Sequence, residues 1–284
     1  MTFVDTPNKK QKHPHYEHRT AKLDKKNNEF SEKKFHHIRN ESTHKNLLKS
    51  FARIGMCLNG KNSAQIPSGE IDKACLILIN TYEDEQRDLG TGPLNDGYLI
   101  GLNHHRHGFK VFYLYNPKSS DFTLFLGYFL QNTTEKLTVF YSGLDAATYG
   151  THEIEFTDGR LSSGIVGNII NRNCNGKAKV IFITDTNNGG SVFDLNFENY
   201  PWNKRPSNLI SFYVKKEDTL ISKDIKRSHG IFTYYFCKII NDCPNITPVR
   251  LAERINPSIL RFNEFFDFET TSPEIADNPI FSNN

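Results

Sequence analysis

The run VIFITDTNNGGS at residues 180–191 passes from Val180, Ile181, Phe182 and Ile183 to Asp185 and then into a polar Asn/Gly turn. A continuous apolar run, as opposed to an alternating one, suits a strand buried on both faces, as in a parallel sheet between two helical layers. In open parallel sheets, ligands gather at loops on the carboxyl ends of the strands. The turn from Asp185 to Ser191 is therefore the first candidate for a functional loop.

Outward from that run, ACLILI at 74–79 is a second continuous apolar stretch. Shorter runs at 111–114, 137–141 and 209–214 predict three more strands. Helical patterns lie between them. Tyr98, Leu99 and Leu102 follow a Gly/Pro/Asn-rich turn at 90–96. Phe122, Phe125, Leu126, Phe129 and Leu130 form an i, i+3, i+4, i+7, i+8 face, with Ser120 as the expected N-cap. Leu161, Ile165, Val166 and Ile169 predict another helix, and the aromatic-rich 230–241 a further one. Ile154 to Phe156 and the Asp158-Gly159 turn suggest a small hairpin. The alternation specifies an α/β three-layer sandwich, with a mainly parallel six-stranded sheet flanked by helices.

Leu47, Leu48, Phe51 and Ile54 predict a short amphipathic helix over 44–57. The expected organisation is a basic disordered leader at 1–43, this helix and a linker at 44–69, the main domain at 70–258 and an acidic tail at 259–284. The net charge of +3 conceals an asymmetry: residues 1–50 hold 12 Lys/Arg against 6 Asp/Glu, and the remainder 23 against 26. Acids are interspersed in the leader and no dense basic cluster forms. It reads as a solvated segment, not a nucleic-acid arm. Six of the 11 histidines lie there at no standard zinc spacing. From Phe262 onward there is no Lys or Arg, and that Phe-containing tail either docks on the domain or stays loose.

No apolar run approaches the roughly 20 residues needed to span a membrane. The first residues lack the apolar segment of a signal peptide. The five cysteines (Cys57, Cys75, Cys174, Cys237, Cys243) are odd in number and irregularly spaced. They are expected as reduced thiols in a cytoplasmic protein, with no disulfide framework, no metal and no cofactor. Cys75 and Cys237, inside apolar runs, are expected as small buried hydrophobes.

Several blocks, in order, resemble the caspase/metacaspase cysteine peptidases, family C14 of clan CD. Leu94-Asn95-Asp96, with Gly108-Phe109-Lys110-Val111 after it, is similar to the family's first helix and second strand. Val139-Phe140-Tyr141-Ser142-Gly143 resembles the strand that delivers the catalytic His, usually written Tyr-Ser-Gly-His-Gly. His152-Glu153-Ile154-Glu155-Phe156 resembles the hairpin beyond it. The segment from Asp185 to Ser191 resembles the nucleophile loop, Asp-x-Cys-x-Gly-Gly, and His229-Gly230-Ile231-Phe232-Thr233-Tyr234-Tyr235 the last core helix. The resemblance runs over residues 73–255 and implies a caspase-like fold.

The departures fall on the chemistry that the resemblance implies. Leu144 stands at the position of the general-base His, Asp145 at that of the adjacent Gly, and Asn187 at that of the nucleophilic Cys. A thiolate must attack the carbonyl and an imidazole must move the protons. Leucine transfers no proton, and a carboxamide is not a useful nucleophile. A carboxylate at Asp145 has the wrong sign beside a site that stabilises an oxyanion. Ser142 and Ser191 as substitute nucleophiles and His152 as a substitute base have plainer roles in strand end, loop and hairpin.

The resemblance to the metacaspase branch also implies an acidic pocket for a basic side chain, with Asp185 and, more loosely, Asp218 as substrate-binding residues. The alternative is that both are loop-end carboxylates satisfied by backbone amides. The expected protein is a pseudopeptidase that binds a peptide or protein, such as a basic segment or an active relative, with a sheet edge available for dimerisation. Nucleic-acid and membrane partners are not expected. An active endopeptidase with non-standard residues and a structural adaptor are the rival readings.

Overall fold

The computed structural model describes residues 41–66, 69–82, 87–148, 151–186, 192–193, 195, 206–216 and 230–281. Residues 1–40 of the leader, Asn187, Ser191, Asp218 and His229 lie outside the described residues, and the leader's last three residues begin α1. The elements in chain order are α1 (Glu41–Phe51), β1 (Gly55–Cys57), β2 (Ile71–Ile79), α2 (Gly92–Arg106), β3 (Lys110–Tyr115), α3 (Ser119–Asn132) and β4 (Thr133–Gly143). There follow β5 (Asp145–Thr148), β6 (Thr151–Phe156), β7 (Gly159–Ser162), α4 (Ser163–Asn173) and β8 (Lys179–Thr186). The chain continues through β9 (Leu209–Lys216), α5 (Ile231–Asp242), α6 (Pro248–Ile259) and β10 (Glu264–Thr270).

The main sheet runs β1-β3-β2-β4-β8-β9-β10, and β5, β6 and β7 form a small antiparallel sheet. Every neighbour in the main sheet is parallel except β9 and β10. Two cores explain the continuous apolar runs. Cys75, Ile77 and Ile79 of β2 point to one face, where they join Phe51, Ile100, Phe236 and Leu251. Ala74, Leu76 and Leu78 point to the other, with Phe122, Phe125, Val166 and Ile170. Successive strand residues alternate faces, so a strand covered on both sides must be apolar at every position. The five α3 residues of the predicted stripe are all buried, each worth about 1.5–3 kcal/mol of burial. Cys75 and Cys237 are likewise buried.

The sheet has seven strands among the described residues where six were expected; five of them match runs read from the sequence, and the other two, β1 and β10, lie at its edges. The helix predicted to residue 57 ends at Phe51, and Gly55–Cys57 pairs with β3. A Cβ on Gly55 would lie 2.9 Å from Val111 Cγ1, so this close approach needs glycine. At the other edge, β10 pairs along its whole length with β9. Phe266, Ile280 and Phe281 are buried, so this part of the acidic tail docks. Ser120 is not a cap: it lies inside α3, and Asp158 holds the first turn by accepting from the Ser119 N–H (2.9 Å) and hydroxyl (3.2 Å). Leu161 lies in β7, and Ser162 caps α4 through the Ile165 N–H. No helix among the described residues is long and apolar enough to cross a membrane.

Candidate functional site

The parallel strands bring their carboxyl ends together in register. Ile79 faces Ser142, which faces Asp185, and Gly143 faces Thr186. Leu144 therefore caps the central strand between the ends of β2 and β8. Alternation places Ser142 and Asp185 on the α2/α5 face and Tyr141 on the α3/α4 face.

On the α3/α4 face, two tyrosines clamp Leu144 by its backbone. The Leu144 N–H donates to Tyr82 Oη (3.0 Å), which donates onward to the Glu155 carbonyl (2.9 Å). Tyr141 Oη donates to the Leu144 carbonyl. Asn80 Nδ2 reaches the same Glu155 carbonyl (2.6 Å), so the end of β2 holds the small sheet against the main one. Burial pushes both tyrosine hydroxyls above their ordinary value, which keeps them protonated and able to donate. Tyr82 takes a left-handed φ of 60°, unusual for a bulky residue, and the clamp holds it there. Gly143 makes room: a Cβ there would sit 2.6 Å from Tyr141 Oη.

On the α2/α5 face, two carboxylates meet the first turn of α5. Gly230, at its N-cap, has no side chain with which to satisfy the free N–H groups of the helix start. Asp96 of α2 supplies the acceptor instead, taking the Gly230 N–H on Oδ1 (2.8 Å) and Oδ2 (3.0 Å). Asp185 Oδ2 accepts from the Thr233 hydroxyl (2.6 Å) and N–H (3.1 Å). Ser142 Oγ donates to Asp96 Oδ2 (3.3 Å). Asp96 is buried, and burial first and the nearby Asp185 second push its carboxyl well above the usual range. A Cβ on Gly230 would fall 1.9 Å from Asp185 Oδ2, so only glycine fits.

The structure thus puts three of the sequence-derived candidates, Leu144, Asp145 and Asp185, at one end of the sheet. Asp185 is partly exposed, with one oxygen committed to Thr233. Asp145 is buried, and its Oδ2 lies 3.7 Å from His152 Nδ1 across the β5/β6 ladder. Ser142 is buried against Asp96, away from a nucleophile's exposed position. Asn187, Ser191 and Asp218 fall on segments outside the described residues. Tyr82 and Asn80 were missed. They belong to no motif, and only the polar stop Asn80-Thr81-Tyr82 after an apolar strand hinted at a role. Asp96, Gly230 and Thr233 lay within the blocks of the family resemblance.

No protein-family model matches the chain. No curated protein matches it either. Solved structures do. The chain is similar to the Drosophila initiator caspase Dronc, with a TM-score of 0.56 and 14% identity over 78% of this chain and 92% of that one. It is also similar to protein GSU0716 from Geobacter sulfurreducens, with a TM-score of 0.55 and 14% identity over 74% and 98% of the two chains. The chain has a caspase-like α/β fold, in which a mostly parallel central sheet is flanked by helices.

Proposed function

We propose that this chain is a catalytically inactive homologue of the caspase/metacaspase peptidases that acts by binding a peptide or protein segment. The observation that carries the reading is Leu144 at the tip of the central strand. It is held there by its backbone and flanked by the buried carboxylate of Asp145. An aliphatic side chain at that tip moves no proton, and Asn187, next in sequence after β8, offers no thiolate. The acidic residues Asp185 and Asp218 favour a basic segment as the ligand. An active relative or a second copy at a sheet edge is the alternative partner.

The test has two measurements. Peptides with Arg, Lys or Asp before the scissile bond should not be cleaved by the purified chain. Titration with Arg- or Lys-containing peptides should show saturable binding that weakens in Asp218→Ala. Unchanged affinity in that variant sinks the pocket, and cleavage by the unaltered chain sinks the inactive reading. Asn187→Cys alone should stay inactive because Leu144 supplies no base.

A second reading is an active enzyme with relocated residues, favoured by the Asp145–His152 contact. It requires cleavage that disappears in His152→Ala.

A further inference from the structure

Among the described residues β10 is the last strand at its end of the main sheet. Its register with β9 tells which of its peptide groups look outward. Just past the strand, Thr271 sends its N–H inward to the Leu209 carbonyl (3.1 Å). Antiparallel neighbours alternate between bonded and unbonded pairs. Phe265, Asp267 and Glu269 therefore face β9, whereas Glu264, Phe266, Phe268 and Thr270 turn their N–H and C=O groups away from it. Such an outward row is a template for one more strand.

In the middle of the row the place of that strand is taken. Asn256 Oδ1 accepts the Phe266 N–H (2.8 Å), and Asn256 Nδ2 donates to the Phe266 carbonyl (3.1 Å). A carboxamide offers an acceptor oxygen and N–H donors, so it answers a peptide as a neighbouring strand would. Asn256 comes from α6, next to the buried Ile255. A turn at 260–263, in which Asn263 has a left-handed φ of 57°, brings β10 back beside that helix. Further along, Asp267 Oδ1 accepts the Phe268 N–H (2.9 Å) while its Oδ2 accepts from Lys215 Nζ (2.6 Å). The opposite edge of the sheet repeats the device. β1 is only 3 residues long, and beyond it Asn59 Oδ1 accepts the Tyr115 N–H (2.8 Å) while Nδ2 donates to the Tyr115 carbonyl (2.6 Å).

We propose that Asn256 is an edge guard: its carboxamide fills the position of the next strand on β10 and keeps a second copy of this chain from pairing there. A second copy is the partner at issue because every β10 edge meets its own equal in solution. Antiparallel pairing about a twofold axis would match the outward groups of one edge with those of the other. Phe265, 43% exposed on the same strand, would be partly covered by such a pair. The inference does not rest on the reading of Leu144, and it closes β10 to the second copy that serves there as an alternative partner.

The test is the mass of the full chain in solution, by light scattering and sedimentation over a range of concentrations. Thr270→Pro removes one outward N–H and so weakens any pairing at this edge. In the otherwise unaltered chain it should leave the mass as it was. Asn256→Ala should double the mass as concentration rises, and Thr270→Pro added to that variant should reverse the gain. A loss of mass in Thr270→Pro alone overturns the proposal. So does an Asn256→Ala chain that gains no mass, or a gain that Thr270→Pro does not reverse. Should Asn256→Ala not fold, hydrogen exchange in the unaltered chain decides. The Phe266 amide should then exchange as slowly as that of Asp267, which faces β9, and fast exchange at Phe266 overturns the guard.

Discussion

Tyr82 Oη lies between the Leu144 nitrogen, at 3.0 Å, and the Glu155 carbonyl oxygen, at 2.9 Å. The hydroxyl thus stands in for a direct rung of the β-ladder, while the companion rung, Glu155 N–H to the Leu144 carbonyl, is direct at 3.1 Å. A side chain 62 residues away in sequence therefore completes the junction between the two sheets.

Removing that hydroxyl leaves one buried donor and weakens one acceptor. Tyr82→Phe is expected to destabilise the fold by about 1–3 kcal/mol, the range for stranding a buried polar group. Urea denaturation measures the loss. Hydrogen exchange should speed up at the Leu144 amide in particular, and unchanged exchange there would count against the inserted-rung description.

Gly230 and Asp185 should behave as a coupled pair. Gly230→Ala drives a methyl group into Asp185 Oδ2 and is expected to destabilise by about 1–3 kcal/mol, as overpacking does. Asp185→Ala leaves the Thr233 N–H and hydroxyl without their acceptor. In the double variant the new methyl group finds space, so the two losses should add up to less than their sum. Strict additivity in denaturation midpoints would show that the contact is not the cause.

The Asp96 carboxyl makes stability fall as pH rises above about 4. Its folded value is raised by burial and by Asp185. The group is therefore fully stabilising below its unfolded value, near 4, and loses that contribution as pH rises through the folded value. Asp96→Asn keeps the shape and an acceptor for the Gly230 N–H but carries no proton to lose. Its urea midpoint should fall less than that of the unaltered chain from pH 5 to pH 9. Parallel curves would falsify the assignment.

His104 acts at the acid end with the opposite sign. It is buried between the Ile100 carbonyl (2.8 Å) and Thr138 Oγ1 (3.0 Å), and burial lowers it from 6.5 to about 4. Its contribution is present above 6.5 and is lost as pH falls through 4, by about 3 kcal/mol in all. His104→Gln should flatten the fall in stability between pH 6.5 and pH 4, read from denaturation midpoints at several pH values.

Sequence pattern reached the strands more readily than the site. Val180 to Ile183 and Cys75 to Ile79 announce themselves because burial on both faces requires apolar residues at every position. β10 does not, because Glu264, Asp267 and Glu269 interrupt its phenylalanines on an edge strand and give it the look of an acidic tail. At the strand tips, Leu144 and Asp145 were visible as departures from a resembled motif. The partners that hold the site were not, since Asp96 meets Gly230 across 134 positions and Asp185 meets Thr233 across 48. Such pairings exist only once the sheet order is set, and no local spacing encodes them.

The clamp on Leu144 grips the peptide and not the side chain. The residue at this tip can therefore be exchanged while the peptide that carries it stays in place. Structural maintenance and chemical identity are thus separable at position 144. Drift in the side chain leaves the scaffold intact, and a grafted imidazole would inherit a fixed mount. That makes the tip a natural socket for engineering, where Leu144→His can be introduced without redesigning the backbone beneath it.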